Sequence, residues 1–125
     1  MKITTFNEYQ QEANFLKISL DKFIKKHPNL PDDVILLLRV TYDGLGMGEA
    51  GETQGKIKKI IRDAGGDITP EDIKAIKKEL GDQLWYISSM CDTLGLKMED
   101  VAATNIEKLQ GRRDRGTLHG NGDDR

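Results

Sequence analysis

Between Thr69 and Gly95 the apolar residues Ile73, Ile76, Leu80, Leu84, Ile87, Cys91 and Leu94 recur in steps of three and four with charged residues between them. Only a helix gathers positions so spaced onto one face. The stretch also carries its own start signal. Thr69 is a capping residue, Pro70 suits the first helical position because its missing N–H would be unsatisfied there, and Glu71 and Asp72 meet the positive end of the macrodipole. Gly95 closes it. With 37% hydrophobic residues against 32% charged, the chain has to separate the two classes face by face. Amphipathic helices do this, and an all-α fold is predicted.

The other segments read the same way. Thr5 stands three residues before Glu8, the spacing of a capping box, and Phe6, Tyr9, Ala13, Leu16, Leu20 and Phe23 trace an apolar stripe that His27-Pro28 ends. A second helical region is predicted from about Asp32 to about Ala64, unbroken or broken near Gly44, and Gly65-Gly66 stops it. The glycines there weaken a helix by ~1 kcal/mol each relative to alanine. Yet Gly44, Gly48, Gly51 and Gly55 are themselves spaced as one helix face, which would admit a backbone or a ligand closely. A last helix is predicted from about Met98 to Gln110, ended by Gly111. The predicted architecture is a four-helix-type bundle domain over residues 1–111, followed by an irregular Arg/Gly-rich C-terminal tail over 112–125. The long apolar stripes exceed what one small bundle covers, which predicts a homodimer or homotetramer.

Several function classes drop out. The longest aliphatic run, Val34 to Leu38, is far short of the roughly 20 apolar residues of a membrane span. The N-terminus lacks the apolar core of a secretory signal, so a cytoplasmic protein is expected. The single cysteine, Cys91, has no intrachain partner and no Cys/His cluster around it. A net charge of −2 argues against bulk electrostatic binding to nucleic acid.

The chemistry lies in the acids. Glu49 and Glu52 stand at i and i+3, hence on one helix face, and Glu79 and Asp82 repeat the spacing on the next helix. A short connection from Ala64 to Pro70 favours antiparallel packing, which lets both pairs point into one gap. Four converging carboxylates repel one another without a cation, whereas Mg²⁺ or Mn²⁺ takes oxygen ligands of this sort. Gly81, between Glu79 and Asp82, is costly for a helix and marks the place as more than a solvated face. Lys56 and Lys59 follow Glu52 by one and two turns, and Asn105, Lys108 and Arg112 form a polar stripe near the C-terminus. Tyr86, four residues after Asp82, is a candidate to stack on a base, and Arg115 in the tail a candidate to close over phosphates.

The string from Gly44 to Glu52, the Lys56-Ile57-Lys58-Lys59 that follows, Glu79-Leu80-Gly81-Asp82-Gln83-Leu84-Trp85-Tyr86 and Asn105-Ile106-Glu107-Lys108-Leu109 together resemble the MazG-like nucleotide pyrophosphohydrolases of the all-α NTP pyrophosphatase superfamily. The resemblance implies hydrolysis of a nucleoside triphosphate between its α- and β-phosphates, giving a monophosphate and pyrophosphate. It implies Mg²⁺, with Mn²⁺ as substitute, on Glu49, Glu52, Glu79 and Asp82. It also implies Asn105 and Lys108 near the nucleotide, and the basic Lys56, Lys59, Arg112 and Arg115 are expected, by their charge, to meet phosphates. Where some relatives carry a further acid before the first motif glutamate, this chain has Gly48. Two rival readings are a narrower phosphohydrolase acting on dUTP or phosphoribosyl-ATP, and a nucleotide- or metal-binding regulatory protein without turnover.

Overall fold

The computed structural model describes residues 2–15, 20–119 and 121–122. Among the described residues six α-helices follow in order: α1 (Phe6–Phe15), α2 (Asp21–Lys26), α3 (Asp32–Gly46), α4 (Ala50–Ala64), α5 (Pro70–Thr93) and α6 (Met98–Asp114), with a 3-10 turn, Met47–Glu49, between α3 and α4. The described residues contain no strand, and none of their helices is long and apolar enough to cross a membrane.

The helix ends form where side chains relieve unpaired backbone groups. At α1 the Glu8 N–H donates to Thr5 Oγ1 at 3.0 Å and the Thr5 N–H to Glu8 Oε2 at 3.0 Å. At α5 the Asp72 N–H donates to Thr69 Oγ1 at 3.1 Å and the Thr69 N–H to Asp72 Oδ2 at 3.0 Å. Both are reciprocal capping boxes. Gly65 ends α4 at φ 63°, and the Gly66 N–H donates to the Ile60 carbonyl at 3.1 Å.

Of the stripe expected from Phe6 to Phe23, α1 and α2 are described, while Leu16 lies outside the described residues. Two boundaries differ from the sequence reading. Helix α3 runs through Gly44, and the break falls at Met47–Glu49. Helix α6 runs through Gly111 to Asp114 and stops where Gly116 adopts φ 68°, the Thr117 N–H donating to the Arg112 carbonyl at 2.8 Å. A glycine halts a helix when the chain there turns left-handed, and Gly116 does so.

Helix α5 is the spine, against which α1, α3 and α4 pack, while α6 leans on α1. Polar bonds fasten α1 to the α5–α6 connection: the Gln10 amide donates to the Leu96 carbonyl at 2.8 Å and accepts from the Met98 N–H at 2.9 Å, and Asn7 Nδ2 donates to Glu99 Oε2 at 2.7 Å. The interior is notably polar. Among the described residues, Ala13, Ile60, Cys91 and Met98 are the buried apolar side chains, beside buried Asp43, Ser88, Ser89 and Arg112. Meanwhile Leu37, Leu45, Ile61 and Ile106 are 65%, 76%, 65% and 61% exposed.

Ser88 is fully buried, and its hydroxyl has no hydrogen-bond partner among the described residues. A buried, unpaired hydroxyl costs about 1–3 kcal/mol. Ser88→Ala is therefore expected to stabilise the fold by ~1 kcal/mol, read as a higher urea midpoint with an unchanged m-value. A lower midpoint would show that the hydroxyl is in fact bonded.

Candidate functional site

The 3-10 turn and the first turn of α4 set the first acidic pair. Glu49 closes the tight turn and Glu52 stands just inside α4, so their side chains leave the chain in nearly the same direction. Glu79 comes across from the middle of α5, which the Gly65-Gly66 turn brings back against α4. The two helices are pinned beside the acids by Gln83 Nε2, which donates to Thr53 Oγ1 at 3.0 Å.

Carboxylate oxygens of Glu49, Glu52 and Glu79 lie within 4.8 Å of one another. Glu49 and Glu79 are half-buried and Glu52 is exposed. The negative charge of Glu49, then that of Glu79, pushes the Glu52 carboxyl above the ordinary glutamate range. An ion pair between Lys56 Nζ and Glu79 Oε1 at 3.1 Å partly offsets the crowding. This donor set fits a hard divalent cation: three oxygen ligands converge and mutual repulsion makes each a better ligand, with an open side left for water or substrate. The structure thus brings together three of the four expected carboxylates. Asp82, one turn further along α5, is exposed and stands outside the group.

Lys59 and Lys56 line a groove of about 330 Å³ between α4 and α5, with Ile60, Asp63, Ala64, Asp72 and Ala75. Tyr86 is not offered to a ligand by its face. Its ring lies over the backbone at Gly46, edge-on to Trp85 with centroids 5.0 Å apart and 6.4 Å from Tyr42. Burial first, then Tyr42 and Glu49, raise its hydroxyl above the usual tyrosine range. The close approach that the glycines promised therefore occurs at Gly46. A Cβ at Gly48, Gly51, Gly55 or Gly81 would meet open space.

Asn105 and Lys108 line a different hollow, of about 620 Å³, with Phe6 of α1, Leu84 and Ile87 of α5, and Leu96 and Val101. Arg112 is only 6% exposed, and its Nη2 donates to the Gly122 carbonyl at 3.1 Å. The Arg115 guanidinium lies back along α6 beside Gly111. The expected polar stripe of α6 is thus divided between a hollow and a brace for the tail. Tyr9, part of an apolar stripe in the sequence, has its hydroxyl raised above the usual tyrosine range by burial first and then by the Asp82 charge. A tyrosine on a buried stripe needs somewhere to put its polar tip.

Residues 43–117 match the family model described as the MazG nucleotide pyrophosphohydrolase domain. The chain is 42% identical over 87 residues to the gene 37 protein of Mycobacterium phage L5, covering 69% of this chain and 76% of that protein. No solved structure matches it.

Proposed function

Because the chain belongs to the MazG nucleotide pyrophosphohydrolase family, we propose that it hydrolyses nucleoside triphosphates, ribo or deoxy, between the α- and β-phosphates to a monophosphate and pyrophosphate. Mg²⁺, with Mn²⁺ as substitute, would be held by Glu49, Glu52 and Glu79, with Asp82 as the outlying fourth carboxylate. The observation that carries the reading is the convergence of three carboxylates within 4.8 Å beside a lysine-lined groove. When bound, the cation neutralises the triphosphate and makes the attacking water more acidic.

The remaining work falls to the chain's own groups. Glu49 or Glu52 takes the proton of the attacking water. Lys56 and Lys59 face the β- and γ-phosphates, where charge builds as pyrophosphate leaves. Asn105 and Lys108 offer polar contacts at the rim of an apolar hollow suited to a base and sugar. Arg112, which also braces the tail through the Gly122 carbonyl, and Arg115 remain candidate phosphate contacts. The test is a panel of the common NTPs and dNTPs plus dUTP, incubated with protein and Mg²⁺ and resolved into products. Monophosphate plus pyrophosphate is the expected result. Turnover of dUTP alone would favour the narrower enzyme, and absence of turnover with any nucleotide would favour the binding protein.

Self-assembly into a homodimer or homotetramer belongs to the same proposal. Leu37, Leu45, Ile61 and Ile73 are 60–76% exposed, and burying each side chain is worth about 1.5–3 kcal/mol. Leu37→Asp and Ile61→Asp, measured by sedimentation velocity, are expected to shift the protein to smaller species. An unchanged sedimentation coefficient in both variants would remove these faces from the interface.

A further inference from the structure

We propose that Lys56 is a resident counter-ion of the carboxylate group, exchanged for the divalent cation rather than joined by it, so that its ammonium becomes available to phosphate only in the metal-loaded protein. The inference rests on the metal-site reading above and adds an order of events to it.

Lys56 Nζ sits 3.1 Å from Glu79 Oε1, and the Glu79 side chain is only 12% exposed. Glu79 is one of the three acids whose oxygens lie within 4.8 Å of one another. A hard divalent ion binds a carboxylate oxygen at about 2.0–2.6 Å. An ammonium still hydrogen-bonded to that same oxygen would then stand within a few ångströms of a second, doubly charged cation. The two cations repel each other across that oxygen, and the doubly charged ion, closer to it, is held the more strongly, so the other gives way. The lysine yields, because its head is on a flexible stem with 38% of the side chain exposed and can be hydrated.

Lys56 already has somewhere to go. The same side chain lines the α4–α5 groove that Lys59 lines. Both acids of that groove are engaged elsewhere: Asp63 accepts from Arg62 Nη2 at 2.7 Å, and Asp72 accepts from the Thr69 N–H at 3.0 Å within the α5 cap. Asp63 also feels the Lys59 charge, but its bonds run to Arg62, and neither acid makes an ion pair with Lys56. On release from Glu79, Lys56 adds a second ammonium to the Lys59 groove, beside the place where an anionic leaving group would lie. Metal loading and assembly of the anion site are then one event.

Calorimetric titration of the metal-free, full-length protein with Mn²⁺ tests the exchange without recourse to turnover. Lys56→Met is expected to bind Mn²⁺ about fivefold tighter than wild type, since no ion pair has to be broken. Lys59→Met removes the same charge one turn away but breaks no pair with Glu79, and is expected to stay within about twofold of wild type. Equal tightening in the two variants would reduce the effect to general electrostatics and overturn the proposal. A second readout is the Lys56 εCH₂ signal in a lysine-labelled NMR spectrum, assigned by its loss in Lys56→Arg. It is expected to move toward the signals of the exposed lysines as Mg²⁺ is added. A signal that stays put while Mn²⁺ binds in calorimetry would overturn the exchange and leave the metal site standing. Failure of wild type and both variants to bind Mn²⁺ at all would overturn the metal-site reading, and the exchange with it.

Discussion

Glu52→Gln is expected to lower kcat/KM for pyrophosphate release by about 10³-fold or more, because it replaces a charged carboxylate ligand by a neutral amide on a cation asked to supply several kcal/mol of transition-state stabilisation. The same substitution is expected to have the opposite effect on the metal-free fold. Glu49 and Glu79 raise the Glu52 carboxyl above its ordinary value of 4.5. A carboxyl raised in the folded state favours folding below its unfolded value and loses that favour as pH rises through the folded one. In metal-free protein at neutral pH the ionised Glu52 is therefore a liability, and Glu52→Gln should melt at a temperature equal to or above that of wild type. At pH 4, where the acid is largely protonated in both states, the two should coincide. Pyrophosphate-release assays at saturating Mg²⁺ and melts in chelator at the two pH values provide the check. A variant that keeps its activity, or that melts lower than wild type in chelator at neutral pH, would take Glu52 out of the site.

The largest expected effect on stability comes from Gly46→Ala. The backbone at Gly46 is ordinary helix, φ −63° and ψ −33°, so alanine suffers no backbone strain and its helix propensity alone would stabilise by ~1 kcal/mol. Sterics decide instead: a Cβ there would fall inside the Tyr86 ring. The ring cannot slide freely, with Trp85 edge-on at 5.0 Å and Tyr42 at 6.4 Å. We expect a net loss of about 2–3 kcal/mol, the usual penalty for overpacking, in denaturant unfolding. Gly48→Ala, whose Cβ meets open space, is expected to be neutral or mildly stabilising. Combining Gly46→Ala with Tyr86→Leu should recover part of the loss, which separates a clash from a general intolerance of alanine. A Gly46→Ala protein as stable as wild type would mean that the ring moves aside without cost.

Local chemistry made the caps and the acidic pairs legible. Thr69 with Asp72 and Thr5 with Glu8 form the boxes that their spacing announces, because such bonds involve residues three apart and need no tertiary information. Glu49, Glu52 and Glu79 meet because one short turn returns α5 along α4. Asp82 shares the spacing but not the convergence: it is exposed, and its charge is felt by Tyr9 of α1. Periodicity identified apolar stripes correctly as helix faces, yet it is silent on what covers them, and Leu37 and Ile61 lie on the outside of the chain. Gly46 was hidden for a related reason. A glycine that admits a ring from a helix forty residues away looks the same in sequence as one that merely weakens its own helix. Arg112 shared a helix face with Asn105 and Lys108, but the tail folds back to cover it, a contact that no helical spacing encodes.

The three clustered acids all belong to one helical hairpin, the 3-10 turn with α4 and α5, closed by the short Gly65–Thr69 connection. Bringing them together requires only two neighbouring helices and the turn between them, elements that form within about a microsecond in an unfolded chain. A charge clash confined to so local a unit is expected to be felt by the folding barrier as well as by the finished protein. Divalent cations should then speed folding as well as slow unfolding, whereas an ion that recognised only the completed tertiary structure would act on the unfolding limb alone.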